Sequence, residues 1–113
     1  MLINTKAKIA VISMINLAKY SKTEPVNLLE LSRRQKMSAS YLEQVFSKLK
    51  KAGLVKSSRG PGGGYQLPSL DISVAQIVDA IKVKEPSGEK GWDLVSSKVM
   101  SELSKTKLSD LML

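Results

Sequence analysis

Cysteine and histidine are both absent from this chain of 113 residues. Without thiols there can be no disulfide. Without thiolate and imidazole there is no zinc site of the usual donor set and no ordinary iron–sulfur ligation. Ser-His and Cys-His nucleophilic pairs are excluded as well. The lack of cysteine fits a reducing cytosol. Long apolar runs are missing too. The longest covers residues 9–18 and is interrupted by Ser13 and Asn16, whereas a membrane-spanning helix needs about 20 apolar residues. Lys6 and Lys8 precede that run as they would in a secretory leader. No small-residue cleavage site follows, and the run ends in Lys19-Tyr20-Ser21-Lys22, so no leader is expected. Acids are scarce in the first 68 residues, where only Glu24, Glu30 and Glu43 occur.

That scarcity places the charge. The chain carries +8 overall. Residues 1–68 hold twelve Lys/Arg against those three acids, while residues 69–113 hold six basic and seven acidic residues. A basic domain joined to a neutral one points to a polyanionic partner, nucleic acid first and an anionic membrane surface second. Hydrophobic content of 42% with 25% charged residues predicts a globular fold rather than disorder. The length suits one domain with an appendage. No internal repeat or low-complexity tract occurs.

The periodicities predict mostly helix. A first helix runs from about Thr5, a cap candidate, to Tyr20. It is apolar nearly all round and so must be covered on several sides. Asn27 caps a short helix, Leu28–Gln35, with Leu28, Leu29 and Leu31 as its core and Glu30 completing a capping box. After the turn at Lys36-Met37, either Ser38 or Ser40 opens the next helix. Ser40 with Glu43 fits the Ser-x-x-Glu box. Leu42, Val45, Phe46 and Leu49 form its apolar stripe, and Gly53 suits the left-handed position past its end. Two helices joined so closely form a helix-turn-helix pattern. Residues 54–58 and 65–67 then read as strands around Arg59-Gly60-Pro61-Gly62-Gly63-Gly64, a hairpin placed where a wing would be. A phosphate-binding loop would need Gly-Lys-Ser/Thr followed by a helix, and Tyr65-Gln66-Leu67 does not supply it. A merely flexible loop is the other alternative. Ser73 and Gln76 cap a helix over Val74–Ile81. A polar loop spans residues 82–91. A final helix covers residues 92–104, and Thr106 caps a short turn over Leu108–Leu111.

Three segments carry a family resemblance: Ser40-Tyr41-Leu42-Glu43-Gln44, then Leu49-Lys50-Lys51-Ala52-Gly53-Leu54-Val55, then Ser58-Arg59-Gly60-Pro61-Gly62-Gly63-Gly64-Tyr65. Together they resemble the winged-helix regulators of the IscR type, whose relatives include NsrR and CymR. Trp92 and the ending Thr106-Lys107-Leu108-Ser109-Asp110-Leu111 extend the resemblance over nearly the whole chain. It implies a cytoplasmic, nucleoid-associated bacterial transcription regulator, not an enzyme. Cluster-binding members carry three cysteines in the loop before the long helix. The corresponding loop here is short and has none, so no ligand role carries over and no cofactor is expected.

The expected fold class is mainly α with a small β-hairpin wing: a winged helix-turn-helix plus a long C-terminal dimerisation helix. Residues 1–68 would be the DNA-binding domain, with the helix-turn-helix at about 28–51 and the wing at about 54–67. Residues 69–113 would supply a connecting helix, a short loop and the dimerisation helix. Ser38, Ser40, Glu43 and Gln44 would face base edges. Gln44 suits adenine and Glu43 suits cytosine N4. Glu43 also repels phosphates and can penalise wrong sites, and the resemblance associates its position with choosing between classes of site. Arg33, Arg34, Lys36, Lys48, Lys50, Lys51 and Lys56 are phosphate-contact candidates. By resemblance the wing, with Arg59, Gly60, Pro61 and Gly62, would enter a narrow minor groove. Trp92, Val95, Val99 and Leu103 would line a homodimer seam. Deletion of residues 92–113 would then leave a folded monomer. The expected partner is a pseudo-palindromic double-stranded operator, bound by a homodimeric repressor without membrane attachment. Two other classes remain: a protein-interaction module of the same fold that binds a metabolic enzyme, and a Ser-Lys hydrolase, for which no residue pair is fixed in a pocket.

Overall fold

The computed structural model describes residues 4–81 and 89–113. Five α-helices and one hairpin follow in the order α1 (Thr5–Tyr20), α2 (Leu28–Gln35), α3 (Ala39–Lys51), β1 (Lys56–Ser58), β2 (Gly64–Gln66), α4 (Val74–Ile81) and α5 (Lys90–Leu103). A 3-10 turn, Leu108–Leu111, closes the chain. The mainly helical architecture with a two-stranded wing and a long C-terminal helix is the expected fold class.

Helix α1 is central because its sequence leaves little polar surface. Ala10, Met14 and Leu17 are fully buried. The helix packs on α4, on the terminal 3-10 turn, on α2 and α3, and on β2. Its cap is Asn4, whose side chain accepts from the Ala7 amide, so Thr5 is the first helical residue rather than the cap. Helix α2 is thinly anchored. Leu31 is buried, Leu28 is half-buried, and Leu29 faces solvent at 55% exposure, against the expectation of a core role. An eight-residue helix turns only about twice, and Leu29 falls on the outer side of those turns.

The principal core crosses the expected boundary after Pro68. Leu42, Val45, Phe46 and Leu49 of α3 meet Met14 and Leu17 of α1, and the same cluster takes in Ile72, Ile77 and Ile81. Leu108, fully buried, belongs to it too. The Leu108 amide donates to the Ile72 carbonyl at 2.7 Å, and the Val74 amide to the Thr106 carbonyl at 2.9 Å. Deleting residues 92–113 would therefore remove a core side chain and two tertiary hydrogen bonds, and a folded remnant is not expected. The backbone amide of Lys107 is accepted by Asp110, so Lys107 rather than Thr106 heads the terminal turn.

Ser73 and Gln76 form a reciprocal box at α4, each side chain bonding the other's amide at 3.2 and 2.8 Å. Helix α5 begins at Lys90, so Gly91 lies within the helix rather than in the preceding loop; residues 82–88 of that loop lie outside the described residues. Along α5 no residue is fully buried. Met100 and Leu103, near its end, pack against Ala7, Val74 and Val78, while Trp92 and Val95 are exposed at 48% and 46%. The radius of gyration, 14.6 Å, exceeds the roughly 13 Å of a compact chain of this length, as a projecting helix requires.

Candidate nucleic-acid interface

The turn between α2 and α3 is tight because Lys36 takes a left-handed conformation, with φ 54°. Its amide and that of Met37 both bond the Ser32 carbonyl. At α2 the Asn27 side chain accepts from the Glu30 amide at 2.8 Å. The Glu30 carboxylate does not complete a box; it turns to Arg34 at 2.9 Å.

Ser38 caps α3, its hydroxyl accepting from the Tyr41 amide at 3.1 Å. That settles the choice between the two serines. Ser40 sits inside the first turn, and Glu43 is released from capping. Ser40, Glu43 and Gln44 lie on one exposed face at helical spacing. Ser47 continues that face by one turn, exposed as they are. Serine at a helix centre carries no sequence signal of its own, so its place on this face emerges only from the folded helix. Glu43 has no ion-pair or hydrogen-bond partner among the described residues.

At its far end α3 closes with a Schellman motif. Gly53, with φ 77°, donates to Lys50, and Leu54 donates to Leu49. Leu54 and Val55 turn into the core, so β1 is three residues long and starts at Lys56 rather than at 54. The wing is tied to the body twice. Val26 and Tyr65 exchange backbone hydrogen bonds of 3.0 and 2.8 Å. The Tyr65 ring lies 4.9 Å from that of Phe46 on α3. Gly64 lets the second strand pass this point: its φ is 151°, and a Cβ there would collide with the Val26 carbonyl. Arg59, Gly60, Pro61 and Gly62 at the wing tip are all exposed.

The basic residues divide. Arg33, Lys36, Lys50, Lys51 and Lys56 are exposed. Arg34 is held in place, its guanidinium 3.9 Å above the Tyr20 ring while it pairs with Glu30. Lys48 is half-buried beside Lys6 of α1. Its pKa is held below the usual lysine range, first by the side-chain approach of Lys6, a second donor-only ammonium, then by partial burial and by the repulsion of the Lys6 charge, with Tyr41 opposing. Lys6 had no sequence signal for this role, since its neighbour is 42 positions away. The exposed dimer candidates Trp92 and Val95 stand apart from this surface on α5, with Val99 half-buried and Leu103 engaged within the chain.

A capped helix presenting polar side chains, followed by an Arg-tipped hairpin locked to that helix, defines a winged helix-turn-helix DNA-binding protein. The Rrf2 family model, described as an iron-dependent transcriptional regulator, matches residues 3–113. The transcriptional regulator IscR of Vibrio atlanticus is 41% identical over 130 aligned positions, which take in 99% of this chain and 75% of that protein. Among solved structures, T. potens IscR superposes with a TM-score of 0.81 at 34% identity, covering 97% of this chain and 85% of the other. CymR, the global cysteine regulator of B. subtilis, gives 0.79 at 35%, covering 97% and 95%. The chain belongs to the Rrf2 family of bacterial transcription regulators, of the IscR type. This is a family of regulators rather than enzymes.

The family description implies iron, and the donors here do not fit it. The chain has no Cys and no His, the residues that hold iron–sulfur clusters. Among the described residues no group of three or more Asp or Glu could hold a metal ion. No helix among them is long and apolar enough to cross a membrane.

Proposed function

We propose that this protein is a sequence-specific, homodimeric repressor that binds a pseudo-palindromic operator without an iron–sulfur cluster. The observation that carries the reading is the exposed face of α3. Ser40, Glu43 and Gln44 stand on it at helical spacing, and the Phe46–Tyr65 contact fixes the Arg59 wing beside it. Entering a major groove by its N-terminal end, α3 sets Gln44 against adenine and Glu43 against cytosine N4. Ser38, its oxygen occupied by the cap, keeps a hydroxyl proton to donate. Arg59 with Gly60, Pro61 and Gly62 reaches an adjacent narrow minor groove, where the potential favours a guanidinium. Arg33, Lys50, Lys51 and Lys56 bind phosphates, Lys6 and Lys48 share one, and Arg34 approaches the backbone while stacked on Tyr20.

Dimerisation supplies two such surfaces. The exposed apolar side chains of α5, Trp92 and Val95 with Val99 beside them, pair with the same residues of a second copy, and Leu103 anchors the helix to its own domain. Dimers of this motif read half-sites about 34 Å apart. Occupancy then responds to a signal other than cluster assembly, since the chain has no ligand for a cluster. In a bacterium it acts in the cytoplasm, on the nucleoid.

The test is recovery of genomic fragments on the purified protein at physiological salt. A recurring pseudo-palindrome upstream of a few genes is the expected result. Uniform recovery that disappears with modest added salt would contradict the reading, because phosphate attraction alone carries no sequence preference.

A further inference from the structure

The core beneath the helix-turn-helix contains one polar linkage that the fold alone does not require. Ser13, in the middle of α1, is fully buried. A buried hydroxyl costs stability unless it is bonded. Its partner is Gln35, whose Nε2 donates to Ser13 Oγ at 3.0 Å. The same amide accepts at Oε1 from Asn16 Nδ2 at 3.1 Å. Both ends of the Gln35 amide are thus held by α1, by residues three positions apart and therefore on one face. Nε2 also lies 4.0 Å from Met37 Sδ.

The place of Gln35 gives the linkage its meaning. It is the last residue of α2, directly before the left-handed Lys36 and three residues before the Ser38 cap of α3. Helix α2 has little apolar grip of its own, since only Leu31 and Ser32 are buried along it. Apolar contacts are non-directional and tolerate sliding, whereas two hydrogen bonds to one planar amide fix both position and orientation. We infer that Ser13, Gln35 and Asn16 form a positioning clamp that sets the pitch of the helix-turn-helix turn against α1. The clamp thereby fixes the angle at which Ser40, Glu43 and Gln44 meet base edges. Gln35 touches no DNA in this role; it acts through α3. Base readout needs this angle, while phosphate attraction tolerates its loss. The inference rests on the DNA-binding reading and assigns these residues to specificity rather than to affinity.

Gln35→Met keeps the length of the side chain and removes both hydrogen bonds. Binding of the full-length variant to the recovered operator and to a scrambled duplex is compared with wild type across a salt series. Operator affinity is expected to fall about tenfold or more, with scrambled-duplex affinity and salt slope unchanged. Amide exchange at residues 36–38 should rise while exchange in the α1 core does not. Asn16→Ala, which removes one bond at a half-buried position, should give a smaller loss of the same kind, and the two changes together should lose less than the sum. It also provides the reading if Gln35→Met fails to fold. Unchanged operator affinity, or equal losses on operator and scrambled DNA, would overturn the clamp. A wild-type protein with no preference between the two duplexes would overturn the DNA-binding reading itself, and the clamp with it.

Discussion

Glu43 is an exposed carboxylate on the face of α3 proposed to meet DNA, with no cation partner among the described residues. Near phosphates it is repelled, so it binds well only where a base-edge donor compensates. Glu43→Ala should therefore raise affinity for scrambled DNA while lowering discrimination. Gln44→Ala should cost about 1–3 kcal/mol at the one base pair it is proposed to read. Competition titrations with single-base operator variants measure both. Lys48 gives a pH signature. The folded protein holds its pKa down, so over the window just below the ordinary lysine value the unfolded chain binds more protons and stability rises with pH. A DNA phosphate bound beside Lys6 and Lys48, as proposed, would reverse the shift, and binding would then take up a proton. Operator affinity should fall as pH climbs toward the lysine range, and the slope should flatten in Lys48→Met. Equal pH slopes for wild type and variant would remove Lys48 from the phosphate contacts.

At the scale of elements, the wing depends on one backbone passage. Gly64 combines positive φ with contact against the Val26 carbonyl, so Gly64→Ala forces either strain or separation of β2 from Val26. A loss of roughly 3 kcal/mol is expected, at the upper end for single substitutions, and a thermal melt reads it. Wild-type stability would mean that the Val26–Tyr65 bridge is dispensable. Local patterns were legible in advance where the partner lies within a turn: Asn27 over Glu30, Ser73 with Gln76, Gly53 after α3, and the Leu42-Val45-Phe46-Leu49 stripe. Competing local partners defeated others. Asn4 outranked Thr5, Ser38 outranked Ser40, and Asp110 closed on Lys107 rather than Thr106. Leu29 needed knowledge of which side α2 turns outward. The partnerships of Gln35 with Ser13 and of Lys48 with Lys6 join residues far apart in sequence, and only the packed fold brings them together.

At the scale of the molecule, the principal core links α2 and α3 to the C-terminal segment through α1, while α5 carries exposed Trp92 and Val95 away from it. Trp92 and Val95, three positions apart and so on one helix face, are exposed apolar side chains that a second copy would cover under the proposed dimer. The double variant Trp92→Asp with Val95→Asp should sediment as a monomer and bind the operator far more weakly than wild type. A variant that still sediments as a dimer would place the seam elsewhere. The central claim is sequence-specific regulation without a cluster. It is tested most directly by the ratio of operator to scrambled-duplex affinity at physiological salt, measured in air with an iron chelator and again anaerobically with iron and sulfide supplied. A ratio of about 10³ or more, typical of specific binding, is expected, and the same in both conditions. A ratio near one in both, or specificity that arises only when iron and sulfide are supplied, would contradict it.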